Sequence, residues 1–109
     1  MYESLNAGRI LDLPSKQTLS DGTAGGVEEG SITFDICKEI IDDFVLVTER
    51  GIASGIRTAI NDDHQLIEGS AGAAIAAFFK RKKTLIGKRV IIIICGGNIN
   101  STTLHKVLS

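Results

Sequence analysis

Three short stretches carry residue types able to do chemistry. Cys95-Gly96-Gly97-Asn98 follows directly on the apolar run 90–94. A thiol there is a weak hydrogen-bond donor or acceptor, and paired glycines let a ligand or another backbone approach closely. The competing reading is a tight turn with a packed cysteine, and residue types alone leave both open. The motif is not the GxGxxG of nucleotide sites, and no GK[ST] follows it. Glu68-Gly69-Ser70 is the second stretch: a carboxylate just before a small-residue helix, acting either as its cap or as a group facing the same crevice as Cys95. Asp21-Gly22, close to Gly25-Gly26, is the third, and there a turn-forming role outweighs a catalytic one.

What is missing is as informative. Ser20 and Ser70 have no evident histidine partner, so a hydrolase triad is unsupported. No carboxylate pair is placed to tune one member to a high pKa. None of the lysines stands inside an apolar stretch that would desolvate it. His64 and His105 are isolated, each read as a surface or cap residue, and no His or Cys cluster has metal spacing. Taken alone, these residues offer one wall of a site without catalytic apparatus.

The elements that must position this wall follow from periodicity. A marginal helix is expected over residues 2–9, then a loop or edge strand to residue 20, then a long glycine-rich loop over 20–31. Residues 31–41 read as a helix with a wide apolar face of Ile32, Phe34, Ile36, Cys37, Ile40 and Ile41. Residues 44–47 read as a short strand. A second long helix begins at Thr48, with Ile52, Ile56, Ala59 and Ile60 on its apolar side. The Ala- and Gly-rich helix over 70–80 should lie unusually close to a neighbour. Arg81-Lys82-Lys83 is a solvated helix end. Residues 90–94 are all apolar without alternation, the pattern of a strand buried on both faces of a parallel sheet. Ser101 or Thr102 can cap a last helix. The pattern is α/β with a parallel sheet, whose ligand sites lie beyond the carboxyl ends of the strands.

Composition sets outer limits. At 109 residues the chain has room for one modest domain. Twelve Lys and Arg against 13 Asp and Glu exclude a polyelectrolyte that grips nucleic acid or an anionic membrane by bulk charge. A hydrophobic content of 43% excludes a low-hydrophobicity disordered chain. The run 90–95 falls far short of the roughly 20 apolar residues of a membrane span, and MYESLNAGRI lacks the pattern of a signal peptide. Cys37 and Cys95 fit buried free thiols in a reducing cytoplasm, so a cytoplasmic location is expected.

SDGTAGG, ITFDICKEIIDDFVLVTE, IEGSAGAAIAAF and GKRVIIIICGGNIN, in that order, resemble the C-terminal part of the threonine/serine dehydratases. These are pyridoxal-phosphate enzymes of the tryptophan-synthase-β-like fold, a group that includes serine racemase. The resemblance covers residues 2–108. It implies a three-layer fold with a parallel sheet, with residues 1–109 as the C-terminal portion of a cofactor-binding large domain. It also implies that Cys95 contacts the pyridine nitrogen of pyridoxal phosphate and that Gly96, Gly97 and Asn98 shape the cofactor-side turn. Glu68 would lie near the ring, and the backbone at Asp21-Gly22 would pass beside it. The implied reaction removes the α-proton and β-hydroxyl of L-threonine or L-serine, releasing a 2-oxo acid and ammonia, with hydroxyaspartate as another candidate.

The family's Schiff-base lysine, its glycine-rich phosphate loop and the asparagine beside the ring hydroxyl have no counterpart here, so no catalytic and no metal-binding residue is assigned. The expectation is therefore a fragment of such an enzyme, inactive by itself and binding the cofactor poorly if at all. The alternative is a free-standing α/β module for a small ligand or a protein partner. An amino-acid substrate and a homodimer are expected of the parent and self-association of the chain, with no nucleic-acid or membrane partner.

Overall fold

The computed structural model describes residues 1–109. Its regular elements are all helical: α1 (Tyr2–Ala7), α2 (Ile32–Ile40), α3 (Glu49–Asp62), α4 (Gly69–Arg81) and α5 (Ser101–Leu108), with 3-10 turns at Asp21–Thr23 and Lys82–Leu85. The chain divides into two compact units, Met1–Lys16 with Ala24–Phe44, and Gln17–Thr23 with Val45–Ser109. No helix is long and apolar enough to cross a membrane.

In the first unit, α1 stops two residues earlier than the expected 2–9. Gly8 takes a left-handed φ of 70°, and its N–H closes onto the carbonyl of Leu5. The buried Ser4 hydroxyl accepts the N–H of Leu11 at 3.1 Å and ties the following segment back to α1. Tyr2 and Phe44 meet edge to face, with ring centroids 5.7 Å apart. The wide apolar face expected of α2 is not covered. Phe34 alone is buried and Cys37 is half-buried, while Ile32, Ile36, Ile40 and Ile41 stay exposed.

The second unit holds the main core. Ile52, Ile56 and Ala59 come from α3, Ile67 from the segment before α4, Ala71 and Ile75 from α4, and Val107 from α5. Ile56 and Ile67 are almost wholly buried, each contributing about 1.5–3 kcal/mol. Thr48 caps α3 by accepting the N–H of Gly51 at 3.1 Å. Asn100, rather than Ser101 or Thr102, caps α5, its Oδ1 accepting the N–H of Thr103 at 2.8 Å. Arg57 Nη1 donates to the Val107 carbonyl at 2.6 Å, satisfying one of the end carbonyls of α5. The close approach expected of the small-residue helix is made with α3. A Cβ on Gly55 would collide with the carbonyl oxygen of Gly72, and one on Gly72 would stand 2.7 Å from Ile56 Cγ1.

The expected three-layer α/β architecture with a parallel sheet is not formed. Residues 44–47 and 90–95 make no strand and join no hydrogen-bonded ladder. A strand is stable only when a neighbour satisfies its backbone groups, and without one those groups must stay in water. The side chains follow the backbone outward: Ile91 is 87% exposed and Ile93 67%. Only Val47 and Ile92 of the two runs pack against the helical core. The thiols expected to be buried are not, since Cys37 is half-buried and Cys95 exposed, both free.

Replacing Gly55 by Ala should lower the unfolding free energy by about 3 kcal/mol, the upper end of the overpacking range, because helix backbones must separate. Ser54→Ala, at the exposed neighbouring position, should change it by less than about 0.5 kcal/mol. Urea midpoints of the two variants check this, and equal midpoints would contradict the packing described.

Candidate functional site

The turn 95–98 and the start of α4 lie side by side. Glu68 occupies the N-cap position of α4, yet its side chain makes no capping bond. Instead its backbone N–H donates to the carbonyl of Gly96 at 3.0 Å. Its Oε2 accepts the N–H of Asn98 at 3.1 Å. Of the two readings open for Glu68, the side-chain cap is not formed, and the carboxylate reaches the 96–98 turn instead. A charged acceptor on a backbone N–H is stronger than a neutral one, so one residue pins the turn at two points.

The turn passes close to this carboxylate and to the backbone before it. A Cβ on Gly96 would stand 2.6 Å from Glu68 Cδ, and one on Gly97 2.8 Å from the carbonyl oxygen of Leu66. Gly22 also comes near this carboxylate. A Cβ on Gly22 would lie 2.9 Å from Ser70 Oγ and 3.6 Å from Glu68 Oε1. The carboxylate therefore lies against Gly96 and within reach of Gly22. The structure brings Gly22, Glu68, Gly96, Gly97 and Asn98 together, with Cys95 joined to them through the chain and exposed. Asp21 serves its own turn, Oδ1 accepting the N–H of Gly22 at 2.9 Å.

Sequence reasoning missed the residues that hold the 18–23 segment. Ser20 is buried, and its hydroxyl lies 2.7 Å from that of Thr23. Thr23 returns both its N–H and its hydroxyl to the Ser20 carbonyl, each at 2.9 Å. The Ser-x-x-Thr spacing of Ser20 and Thr23 was the available signal, since such hydroxyls favour turns. Gly69 admits this segment: a Cβ there would collide with the Leu19 carbonyl.

The surface so formed is glycine-walled, carries one fixed carboxylate and ends at a thiol. The side-chain positions of Gly22, Gly96 and Gly97 are taken by Ser70, Glu68 and the Leu66 carbonyl, while a ring nitrogen can pair weakly with such a thiol. To that extent the residues fit pyridoxal phosphate. The crevice residues include no amine.

Gly96→Ala should force the Glu68 carboxylate aside and release the Asn98 N–H. Because the obstacle is the end of a flexible side chain, the stability cost should be only about 1 kcal/mol. Amide hydrogen exchange should show Asn98 losing protection, and unchanged protection at Asn98 would contradict the arrangement.

Residues 1–96 match the family described as pyridoxal-phosphate dependent enzymes. The chain is 33% identical over 107 residues to the L-threonine ammonia-lyase of Geobacter sulfurreducens, covering 98% of this chain and 26% of that protein. It is also 33% identical over 109 residues to the L-threonine ammonia-lyase of Thermotoga maritima, covering 100% of this chain and 27% of that one. The crystal structure of serine racemase from Dictyostelium discoideum superposes with a TM-score of 0.75 at 39% identity, over 91% of this chain and 31% of that one. The chain thus spans about a third or less of the length of the relatives it matches. The narrower placement implied by the motifs, in the large domain of a tryptophan-synthase-β-like enzyme, came with a layered sheet that this all-helical chain lacks. The affiliation that holds is the broader one: with residues 1–96 of 109 matched, the chain belongs to the pyridoxal-phosphate-dependent enzyme family.

Proposed function

We propose that these residues form one wall of the cofactor site of an enzyme that removes the β-hydroxyl from L-threonine or L-serine, releasing a 2-oxo acid and ammonia. The observation that carries the reading is the Glu68 carboxylate lying against Gly96, near Gly22, and fixed by the Asn98 N–H. The two L-threonine ammonia-lyases among the relatives support the substrate class.

Pyridoxal phosphate, when bound, supplies the electron sink that lets an amino-acid α-carbon give up its proton. The rest belongs to this chain. Gly96 and Gly97 would hold the ring through backbone alone. Cys95 would hold the ring through its thiol, and a thiol, unlike a carboxylate, does not strongly favour a protonated ring. Glu68 keeps a fixed orientation because Asn98 holds one oxygen, which leaves Oε1 on the Gly22 side free to accept a proton or hydrogen bond. A preoriented acceptor costs no reorganisation at the moment of reaction. The crevice residues contain no amine to condense with the cofactor's aldehyde, so these 109 residues should be inactive alone.

The test uses the full-length gene product carrying these residues, supplied with pyridoxal phosphate and assayed on L-threonine, L-serine and hydroxyaspartate. At least one should yield its 2-oxo acid and ammonia, and Glu68→Ala should lower kcat/KM on the order of a hundredfold. The 109-residue chain mixed with pyridoxal phosphate should show no saturable visible absorption band. A folded, cofactor-loaded product that turns over none of the three would overturn the proposal, as would a saturable band with the chain alone.

A further inference from the structure

We propose that Glu49 is a positioning residue for the crevice, acting through the 18–23 segment. Glu49 is the first residue of α3, and its neutral explanation is an acidic group favoured by the positive end of the helix dipole. Its contacts say more. Oε1 accepts the hydroxyl of Thr18 at 2.6 Å and Oε2 accepts the N–H of Leu19 at 2.7 Å. Both carboxylate oxygens are thus spent on a segment some thirty residues earlier in the chain, at the short distances of charge-assisted bonds.

The hold is passed along that segment. Thr18 Oγ1, while donating to Glu49, accepts the N–H of Ser20 at 3.1 Å. Ser20 and Thr23 close the next turn through their paired hydroxyls. Two consequences reach the crevice. The Leu19 carbonyl is set against Gly69, at the start of the helix that Glu68 precedes, and Gly22 is set against Ser70 and the Glu68 carboxylate. Glu49 touches none of the crevice residues, yet it anchors the strap that places one of its two sides.

This inference rests on reading the crevice as a cofactor wall, but it fails separately. Amide exchange in the 109-residue chain tests the strap whatever the crevice binds, whereas turnover tests the reading itself. Glu49→Ala should speed exchange of the Leu19 amide on the order of tenfold, the loss of one net charge-assisted bond. It should also shift the amide resonances of Gly22 and Asn98. Glu49→Gln should restore all three, because a carboxamide can accept from Leu19 and donate to Thr18.

Equal damage from Glu49→Gln and Glu49→Ala would mean that the charge at the helix start is what matters, and would overturn the proposal. So would faster Leu19 exchange with Gly22 and Asn98 unmoved. If Glu49→Ala prevents folding, Thr18→Val removes the hydroxyl while leaving α3 intact. It should still shift Gly22, and an unshifted Gly22 would equally overturn the strap.

Discussion

A side chain on Gly55 would drive its Cβ into the carbonyl of Gly72, and this restriction sets how close α3 and α4 lie. The small spacing lets Ile52, Ile56 and Ala59 meet Ala71 and Ile75 with little intervening volume. It also sets where α4 begins relative to α3. Glu68, Gly69 and Ser70 mark that beginning, and Glu49 marks the beginning of α3. The crevice on one side and its strap on the other hang from the ends of the same two helices.

Much of this packing was legible. The apolar spacing of Ile52, Ile56 and Ala59, the Thr48 cap and the Ala- and Gly-rich segment each specify their element locally, because helix bonds and caps close within a few residues. The sheet was misread for the opposite reason. Residues 90–94 have the β-branched, uniformly apolar composition of a buried strand, but composition states only what a segment can pair with. Pairing needs a partner, and no ladder is formed. The same distinction explains α2. Its isoleucines satisfy the helical period, yet a periodic face is buried only where another surface covers it, and Ile32 remains 72% exposed.

The site divides along similar lines. Cys95 to Asn98 and Glu68 could be singled out because glycine pairs and a carboxylate at a helix start are unusual in local sequence. Whether Glu68 capped its helix or faced the turn could not be read locally. That choice depends on Asn98, thirty residues away, offering its N–H to the carboxylate. Glu49 was invisible for the same reason: in sequence it is one more acidic residue at a helix start, and its partners Thr18 and Leu19 lie on a distant loop.

The chain's place among pyridoxal-phosphate-dependent enzymes and the geometry around Glu68 lead to one claim, that the turn 95–98 is a surface against which the cofactor ring lies. The most direct measurement is a crystal structure of the full-length gene product grown with pyridoxal phosphate. The account predicts ring density against Cys95, Gly96 and Gly97, on the side where Glu68 stands. Ring density elsewhere would contradict it.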